Sequence, residues 1–202
     1  MNKKILLHSK VIAPAVPQWI IDHGQAKLDA DAPIMNPWGS DYANRTLYHP
    51  TGEYRSSNNR VIYLDEEAHK WARENVSQEI DDIRIFASTP GRHRTGPHTD
   101  RTRNFSLIYL LHGGSSNHHT AYYRDRNSEI VEYDKHLAIT DYSQVEEIAR
   151  VQLPVNEWTL LNARVLHSIE FIPEGRKAIQ ISFNTIPSDL ILRNSIYYIE
   201  ND

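Results

Sequence analysis

The sequence predicts a mainly β fold in which antiparallel strands close around an interior. Short runs of apolar, β-branched and aromatic residues recur in the second half of the chain, between turn residues. Residues 178–183 alternate apolar and polar side chains, which is the period of a half-buried strand. The turn-forming Pro173, Glu174 and Gly175 come shortly before that run. In a closed antiparallel sheet, residues far apart in sequence converge on one cavity at the mouths of the strands.

Four strand segments carry this prediction, and they are residues 105–111, 158–161, 165–172 and 178–183. Two glycines, Gly113 and Gly114, follow the first segment and mark its end. We therefore expect a β core over about residues 81–186.

Two helices are expected ahead of this core. Residues 17–23 fit a short helix that Gly24 ends. Residues 65–79 fit an amphipathic helix with Asp65 as its N-cap. Trp71 falls on the apolar face of the second helix and is expected to pack against the β core.

The remaining N-terminal sequence predicts no further domain. Residues 29–44 are rich in Pro, Asp and Asn and are expected to form a loop. With 202 residues, the chain suits one domain, in which residues 1–80 form a scaffold of helices and loops outside one sheet.

Composition excludes several classes of function. The net charge is −4, which argues against a protein that coats nucleic acid. The chain contains no cysteine, so thiolate metal sites, disulfides and a cysteine nucleophile are excluded. Residues 1–23 lack an apolar stretch long enough for a signal peptide or a membrane span, so a cytoplasmic protein is expected. The sequence does not predict an oligomeric state.

A candidate metal site is the most specific motif of the chain. His98 and Asp100 are separated by one residue and lie just before the first predicted strand. His167 lies within a later predicted strand. Two imidazoles and one carboxylate bind one face of a divalent metal and leave the opposite positions open. Other divalent ions such as Ni, Zn or Mn would also bind such a site.

These residues resemble the metal motif of the 2-oxoglutarate- and Fe(II)-dependent oxygenases, His-x-Asp…His followed by an Arg or Lys. Arg176 follows His167 by nine residues, at the distance that the family shows. The stretch from Pro90 to Thr99 is also similar to the metal strand of the aspartyl/asparaginyl β-hydroxylase-like and free-proline-hydroxylase-like members. The resemblance covers about residues 83–186.

The resemblance implies a fold, two cofactors and a reaction. The fold is a double-stranded β-helix, that is, a jelly roll of the cupin type. Fe(II) binds His98, Asp100 and His167, and 2-oxoglutarate is the co-substrate. Its distal carboxylate pairs with Arg176 and with Tyr109, the position at which prolyl-hydroxylase-like members have a tyrosine. The products are succinate, carbon dioxide and a hydroxylated substrate, and ascorbate is expected to help the reaction in vitro.

Two neighbours of Arg176 complete the predicted co-substrate site. Gln180 and Ser182 lie two residues apart on one strand, so their side chains share a face. We expect one of them to add a hydrogen bond to the co-substrate.

A cluster of basic residues around the metal motif indicates an anionic substrate. Its members are Arg92, His93, Arg94, Arg101 and Arg103. Guanidinium groups bind carboxylates and phosphates in two-pronged geometry, and Arg103 is expected to lie nearest the site. The alternative for the cluster is a solvated loop face. A free amino acid or a peptide side chain fits the resemblance, while nucleobases and lipids stay open as substrates.

Two other classes of function stay open. One is a cupin-type metal enzyme that does not use 2-oxoglutarate, and Arg176 and Tyr109 argue against it. The other is a non-catalytic jelly-roll binding module with incidental histidines.

Overall fold

The computed structural model describes residues 3–30, 59–88, 90, 94–139 and 141–200. Ten strands lie in these ranges, namely β1 Lys3–Ile12, β2 Asn59–Tyr63, β3 Asp82–Ser88, β4 Phe105–His112, β5 His119–Asp125, β6 Val145–Val151, β7 Trp158–Asn162, β8 Leu166–Glu170, β9 Lys177–Phe183 and β10 Ile191–Glu200. The helices are α1 Gln18–Asp29, α2 Glu66–Asn75 and a 3₁₀ turn at Tyr142–Gln144.

The strands form two sheets with a jelly-roll arrangement. One sheet has seven strands in the order β10-β1-β7-β4-β9-β3-β2, and the other has three in the order β6-β5-β8. All named strand pairs are antiparallel. The mainly β fold that the sequence predicts is thus confirmed.

Strand β4 shows how the large sheet divides two apolar layers. Leu107 and Tyr109 pack in a core with residues of both helices, on the outer face of the sheet. Ile108 and Leu110 pack in a second core that faces the small sheet. Because successive side chains alternate between faces, β1, β7 and β9 also contribute to both layers. We call the layer between the sheets the interior.

Helix α1 runs past the glycine that was expected to end it. Gly24 is buried in the middle of the helix, and a Cβ built on it would lie 3.0 Å from Ile85 Cδ1. The glycine therefore lets the helix approach strand β3 closely, and it does not act as a terminator. The prediction of a helix over residues 17–23 had the right start and the wrong end.

Helix α2 begins where the sequence predicts and ends earlier. The Asp65 carboxylate accepts a hydrogen bond from Ala68 N (3.1 Å), as an N-cap does. The helix ends at Asn75 and not near residue 79, although Val76 and Ile80 still pack against the same core. Trp71 packs against this core as expected.

The sheet is wider than the predicted core of residues 81–186. Strands β1 and β2 come from the N-terminal part that was expected to hold only helices and loops, and β10 lies beyond residue 186. β1 pairs with both β10 and β7. The extra strands were missed because polar residues interrupt their alternation, as in the Lys3–Ile12 segment.

Two further expectations concern loops and membranes. Most of the loop expected over residues 29–44 lies outside the described residues, and Asp29 is the last residue of α1. In the described ranges, no helix has the length and apolar character needed to span a bilayer.

Candidate metal centre

An isolated pair of backbone hydrogen bonds brings the two motif histidines together. His98 N donates to His167 O (3.0 Å), and His167 N donates to His98 O (2.9 Å). The residues thus form an antiparallel β-bridge outside the named ladders. Directly opposed residues project their side chains to the same face, and the two imidazole centroids lie 4.7 Å apart.

Asp100 joins them because it lies two residues after His98. Residues two apart in extended chain share a face, so the spacing His-x-Asp places the carboxylate beside the imidazoles. Asp100 Oδ1 is 3.7 Å from His98 Nε2 and 4.0 Å from His167 Nε2. The intervening Thr99 points elsewhere, and its hydroxyl donates to Lys135 O.

Both imidazoles are oriented for ligation through Nε2. His98 Nδ1 lies 2.7 Å from Gly96 O, and His167 Nδ1 lies 2.9 Å from Val165 O. A carbonyl that accepts a hydrogen bond from Nδ1–H keeps the proton on Nδ1 and leaves the Nε2 lone pair for a metal. The candidate ligand atoms all lie within 4.8 Å of one another, and the described residues contain no other such group of three.

Burial keeps the two imidazoles neutral. It lowers the pKa of His98 to about 4, with His167 acting in the same direction, and it lowers the pKa of His167 to about 4 as well. Burial also raises the pKa of the Asp100 carboxyl. The charges of His98 and Arg84 act in the opposite direction and lower that pKa. Neutral histidines offer a metal their lone pairs without first losing a proton.

We expect the metal-free protein to lose stability as the pH falls from 6.5 to about 4. In this window an unfolded histidine takes up a proton, whereas the buried His8 and His167 stay neutral, so acid favours the unfolded state. The loss is at most about 3 kcal/mol for each histidine. Urea unfolding at several pH values measures it. His8→Leu should show a shallower decline, and a free energy of unfolding that is flat over this window would contradict the expectation.

Arg103 is buried against the candidate ligand Asp100. Its Nη2 lies 2.6 Å from Asp100 Oδ2, and the two side chains are 9% and 4% exposed. Oδ2 is therefore engaged by the guanidinium, while Oδ1 faces the two imidazoles. Arg103 thus lies near the site with its Nη2 paired to the carboxylate, while its Nε has no hydrogen-bond partner among the described residues. Its role as a substrate anchor stays a prediction.

Arg176 lies in the interior with an unpaired nitrogen. Its side chain is among the largest fully buried ones, and its Nη1 has no hydrogen-bond partner among the described residues. Burial lowers the pKa of Arg176 to about 10, so the guanidinium stays charged at neutral pH. Its positive charge also acts on His167, which it helps to keep neutral.

Tyr122 is a second unpaired group beside Arg176, and sequence reasoning missed it. It is fully buried, and no described residue forms a hydrogen bond with its hydroxyl. Burial raises the pKa of Tyr122, and the charge of Arg176 opposes that rise. Tyr122 pairs with His167 across β5 and β8, with ring centroids 6.4 Å apart.

Strand β5, which carries Tyr122, was not predicted. His118 and His119 follow a polar stretch of sequence, yet both are buried, and His119 begins the strand. The signal was the β-prone run from Thr120 to Tyr123 that follows them.

Tyr109 lies on the wrong face of its strand for its predicted role. Its ring packs 5.0 Å from that of Trp158 in the core shared with the helices. Burial raises the pKa of Tyr109, and a backbone contact at Val16 opposes the rise. The prediction that Tyr109 reaches the carboxylate held by Arg176 is therefore corrected, because alternation along β4 points its side chain away from the interior.

Gln180 and Ser182 share a face, as their spacing indicates, but both bind another arginine. Arg84 Nε donates to Gln180 Oε1 (3.0 Å), and Arg84 Nη2 donates to Ser182 Oγ (2.9 Å). A carboxylate would need their donor groups, and these already bind Ser106 Oγ and Asp82 Oδ1 (3.0 Å each), which argues against the expected hydrogen bond to the co-substrate.

The other members of the basic cluster are dispersed. Arg94 lies 3.6 Å from Glu170 and 4.5 Å from the centroid of the Tyr142 ring. Arg101 is exposed. Arg92 and His93 lie outside the described residues. The described members therefore do not form one anion-binding surface.

Comparison with known proteins shows no family for this chain. No family model and no curated protein matches the chain. Vicilin from Solanum melongena is 10% identical, with a TM-score of 0.38 over 70% of this chain and 31% of that one. Recombinant pro-11S globulin of pumpkin is 10% identical, with a TM-score of 0.35 over 77% and 30%.

A Lactobacillus farciminis oxalate decarboxylase, solved as a formate complex, is also similar. It is 14% identical, with a TM-score of 0.33 over 67% of this chain and 31% of that one. The chain thus spans about a third of the length of these three solved chains.

Proposed function

We propose that this protein is an Fe(II)- and 2-oxoglutarate-dependent dioxygenase that hydroxylates a C–H bond of a small amino-acid-like or peptidyl substrate. His98, Asp100 and His167 would hold the metal, and Arg176 and Tyr122 would hold the distal carboxylate of 2-oxoglutarate. Bound together, Fe(II) and 2-oxoglutarate supply the oxidising power of the reaction, with release of succinate and carbon dioxide.

The observation that carries the proposal is that Arg176 Nη1 and the Tyr122 hydroxyl have no hydrogen-bond partner within the part of the chain that the structure describes. Buried polar atoms are nearly always hydrogen-bonded, so two buried donors without acceptors, on side chains whose charges act on each other, indicate a ligand that provides the acceptors. A carboxylate has two oxygens and can accept from both donors at once. Their common neighbour is His167, which would place such a carboxylate on the metal side of the interior.

The chain's own groups each have a distinct task in this proposal. The Gly96 and Val165 carbonyls fix the imidazole tautomers, and Arg103 holds the second oxygen of Asp100. Three protein ligands on one face leave open positions for a co-substrate and dioxygen. The apolar interior residues exclude water, for example Ile108 and Leu110.

A cupin-type enzyme without 2-oxoglutarate remains the alternative, and it needs neither unpaired donor. Incubation of the protein with Fe(II), ascorbate and 2-oxoglutarate distinguishes the proposed dioxygenase from this alternative. We expect slow succinate release without substrate and faster release with it, accompanied by a gain of one oxygen in the substrate's mass. If the protein binds the metal but releases no succinate with any member of a panel of amino acids and peptides, the cupin-type enzyme without 2-oxoglutarate is favoured.

Arg103→Gln is expected to weaken divalent-metal binding by about 10- to 100-fold, as is typical when a group that orients a metal ligand is removed. Without the guanidinium, Asp100 Oδ2 is no longer held and the carboxylate loses its fixed orientation. Titration with Mn(II) followed by calorimetry measures the affinity.

Arg101→Gln is the matched control, because Arg101 is exposed and only two residues away. It should bind Mn(II) as the wild type does. Equal affinities in the two variants would mean that Arg103 does not position Asp100.

A further inference from the structure

A surface cleft lies on the side of the small sheet that faces away from the interior. Its volume is about 550 Å³, which is within the range of sites for small molecules. His119 of β5 lines it together with Phe171, which follows β8, and Gln152, which follows β6. His119 comes three residues before Tyr122, so the two side chains lie on opposite faces of β5. The cleft is therefore separate from the metal centre.

The imidazole of His119 brings an unused hydrogen-bond acceptor to this cleft. The residue is 6% exposed, and its Nε2 has no hydrogen-bond partner among the described residues. Its Nδ1 lies 3.0 Å from Asn117 O, a carbonyl that keeps the proton on Nδ1 and leaves a lone pair on Nε2. The missing partner is thus a group that donates an O–H or N–H hydrogen. Because buried polar atoms are nearly always hydrogen-bonded, this nitrogen indicates a ligand.

A metal ion does not fit this position. A bound metal needs several ligand atoms, and within the described ranges the triad is the one group of three that provides them. His118 also lines the cleft, but its two ring nitrogens lie beside the carbonyl oxygens of Ser115 (2.6 Å) and Leu153 (3.0 Å). Neither nitrogen is therefore directed at a metal shared with His119. An organic donor is the partner that remains.

Phe171 gives the cleft an aromatic wall in an unfavourable backbone conformation. Its ring centroid lies 5.4 Å from that of His119, and the residue is 52% exposed. Its φ is 55°, in the left-handed region that bulky side chains seldom adopt. The Ser115 hydroxyl donates to Phe171 O and holds the backbone there. Such strain is typical of residues that serve a site, and a half-exposed ring offers a surface on which a flat ligand can stack.

We infer that the cleft binds a small, uncharged aromatic compound with a hydroxyl or N–H group, which stacks on Phe171 and donates a hydrogen bond to His119 Nε2. Since this nitrogen is shielded from solvent in the free protein, the half-exposed Phe171 ring turns outward to admit the donor. Arg150 also lines the cleft, and two of its nitrogens donate to the Glu147 carboxylate (2.9 and 2.8 Å). Its charge is therefore already paired, which favours an uncharged ligand over an anion. This inference does not depend on the proposed function.

Matched pairs of aromatic compounds test the inference. The probes are phenol with anisole and indole with N-methylindole, because methylation removes the donated hydrogen and keeps the flat ring. Ligand-observed NMR should show that phenol or indole binds about 3- to 10-fold more tightly than its methylated partner, the usual effect of one hydrogen bond.

His119→Phe should abolish this preference, since a phenyl ring fills the space of the imidazole without providing an acceptor. His112→Phe is the matched control and should keep the preference. His112 is also a strand histidine with Nδ1 beside a carbonyl, that of Gly175 (3.0 Å), and it does not line the cleft.

Phe171→Gly separates a role in binding from a role in folding. Glycine adopts a φ of 55° without strain, so this variant removes the ring without a backbone penalty. It should bind the better probe about 2- to 10-fold more weakly, the range for a contact between aromatic rings, and should unfold at no lower a temperature than the wild type.

No saturable binding of any of the four probes would overturn the inference, and so would phenol and indole that bind no better than their methylated partners. A preference that survives in His119→Phe would also overturn it, because the donor would then bind elsewhere. If His119→Phe does not fold, the wild-type comparison and Phe171→Gly still decide, since unchanged binding in Phe171→Gly contradicts stacking on this ring.

Discussion

Replacing His167 with alanine is expected to abolish divalent-metal binding. His167 provides one of three candidate ligand atoms, and its Nε2 lies 4.0 Å from Asp100 Oδ1. Two remaining ligands hold a divalent ion far more weakly than three. A metal at about 100 times its dissociation constant stabilises the folded wild type by about 2.7 kcal/mol. We expect the variant to show no such stabilisation, as measured by thermal unfolding with and without Ni(II).

His119→Ala is the matched control for this variant. His119 is also buried, and its Nδ1 also lies near the carbonyl of the residue two positions earlier, Asn117. The two variants therefore lose similar packing, and only one removes a candidate ligand. Metal-induced stabilisation that persists in His167→Ala, or is lost equally in both, would remove His167 from the site.

The sequence predicted those parts of the site that follow from the two-residue period of side chains along a strand. His98 and Asp100 share a face because they are two residues apart, and no knowledge of the fold is needed for that step. That His167 would lie opposite His98 followed from a resemblance, since the bridge joining them closes across a long stretch of chain.

Tyr109 shows what the strand period does not determine. Strand β4 is buried on both sides, by the helices on one face and by the small sheet on the other. A strand buried on both faces reads as a continuous apolar run, so the sequence does not tell which residues face the interior. Tyr109 was assigned to the wrong face for this reason.

Arg84 illustrates a signal that was present and not used. It lies between Ile83 and Ile85, which are both fully buried. An arginine inside a buried strand needs partners on its own face, and such a residue marks a polar site in the interior. Gln180 and Ser182 supply these partners from the next strand, which explains why polar residues alternate along β9.

Arg176→Gln should raise the dissociation constant for 2-oxoglutarate by roughly 30-fold to 1,000-fold or more, the range found when one partner of a buried charge pair is removed. Tyr122→Phe should raise it less, by about 10- to 100-fold, since it removes one hydrogen bond to a charged group. Calorimetry with the Zn(II)-loaded protein measures both effects. The free protein should lose no hydrogen bond at Nη1 in Arg176→Gln, because this atom has no partner among the described residues.

The neighbouring Tyr123 separates a specific effect from a general one. Its hydroxyl lies 3.1 Å from Ser168 Oγ and donates to Glu170 Oε1, on the face of β5 opposite to Tyr122. Tyr123→Phe should therefore change stability and leave 2-oxoglutarate binding intact.

If Tyr122→Phe and Arg176→Gln both bound 2-oxoglutarate as tightly as the wild type, the two unpaired donors would serve another ligand. Metal binding retained in both variants would then leave the cupin-type enzyme as the better interpretation, because its chemistry needs the triad and not the carboxylate site.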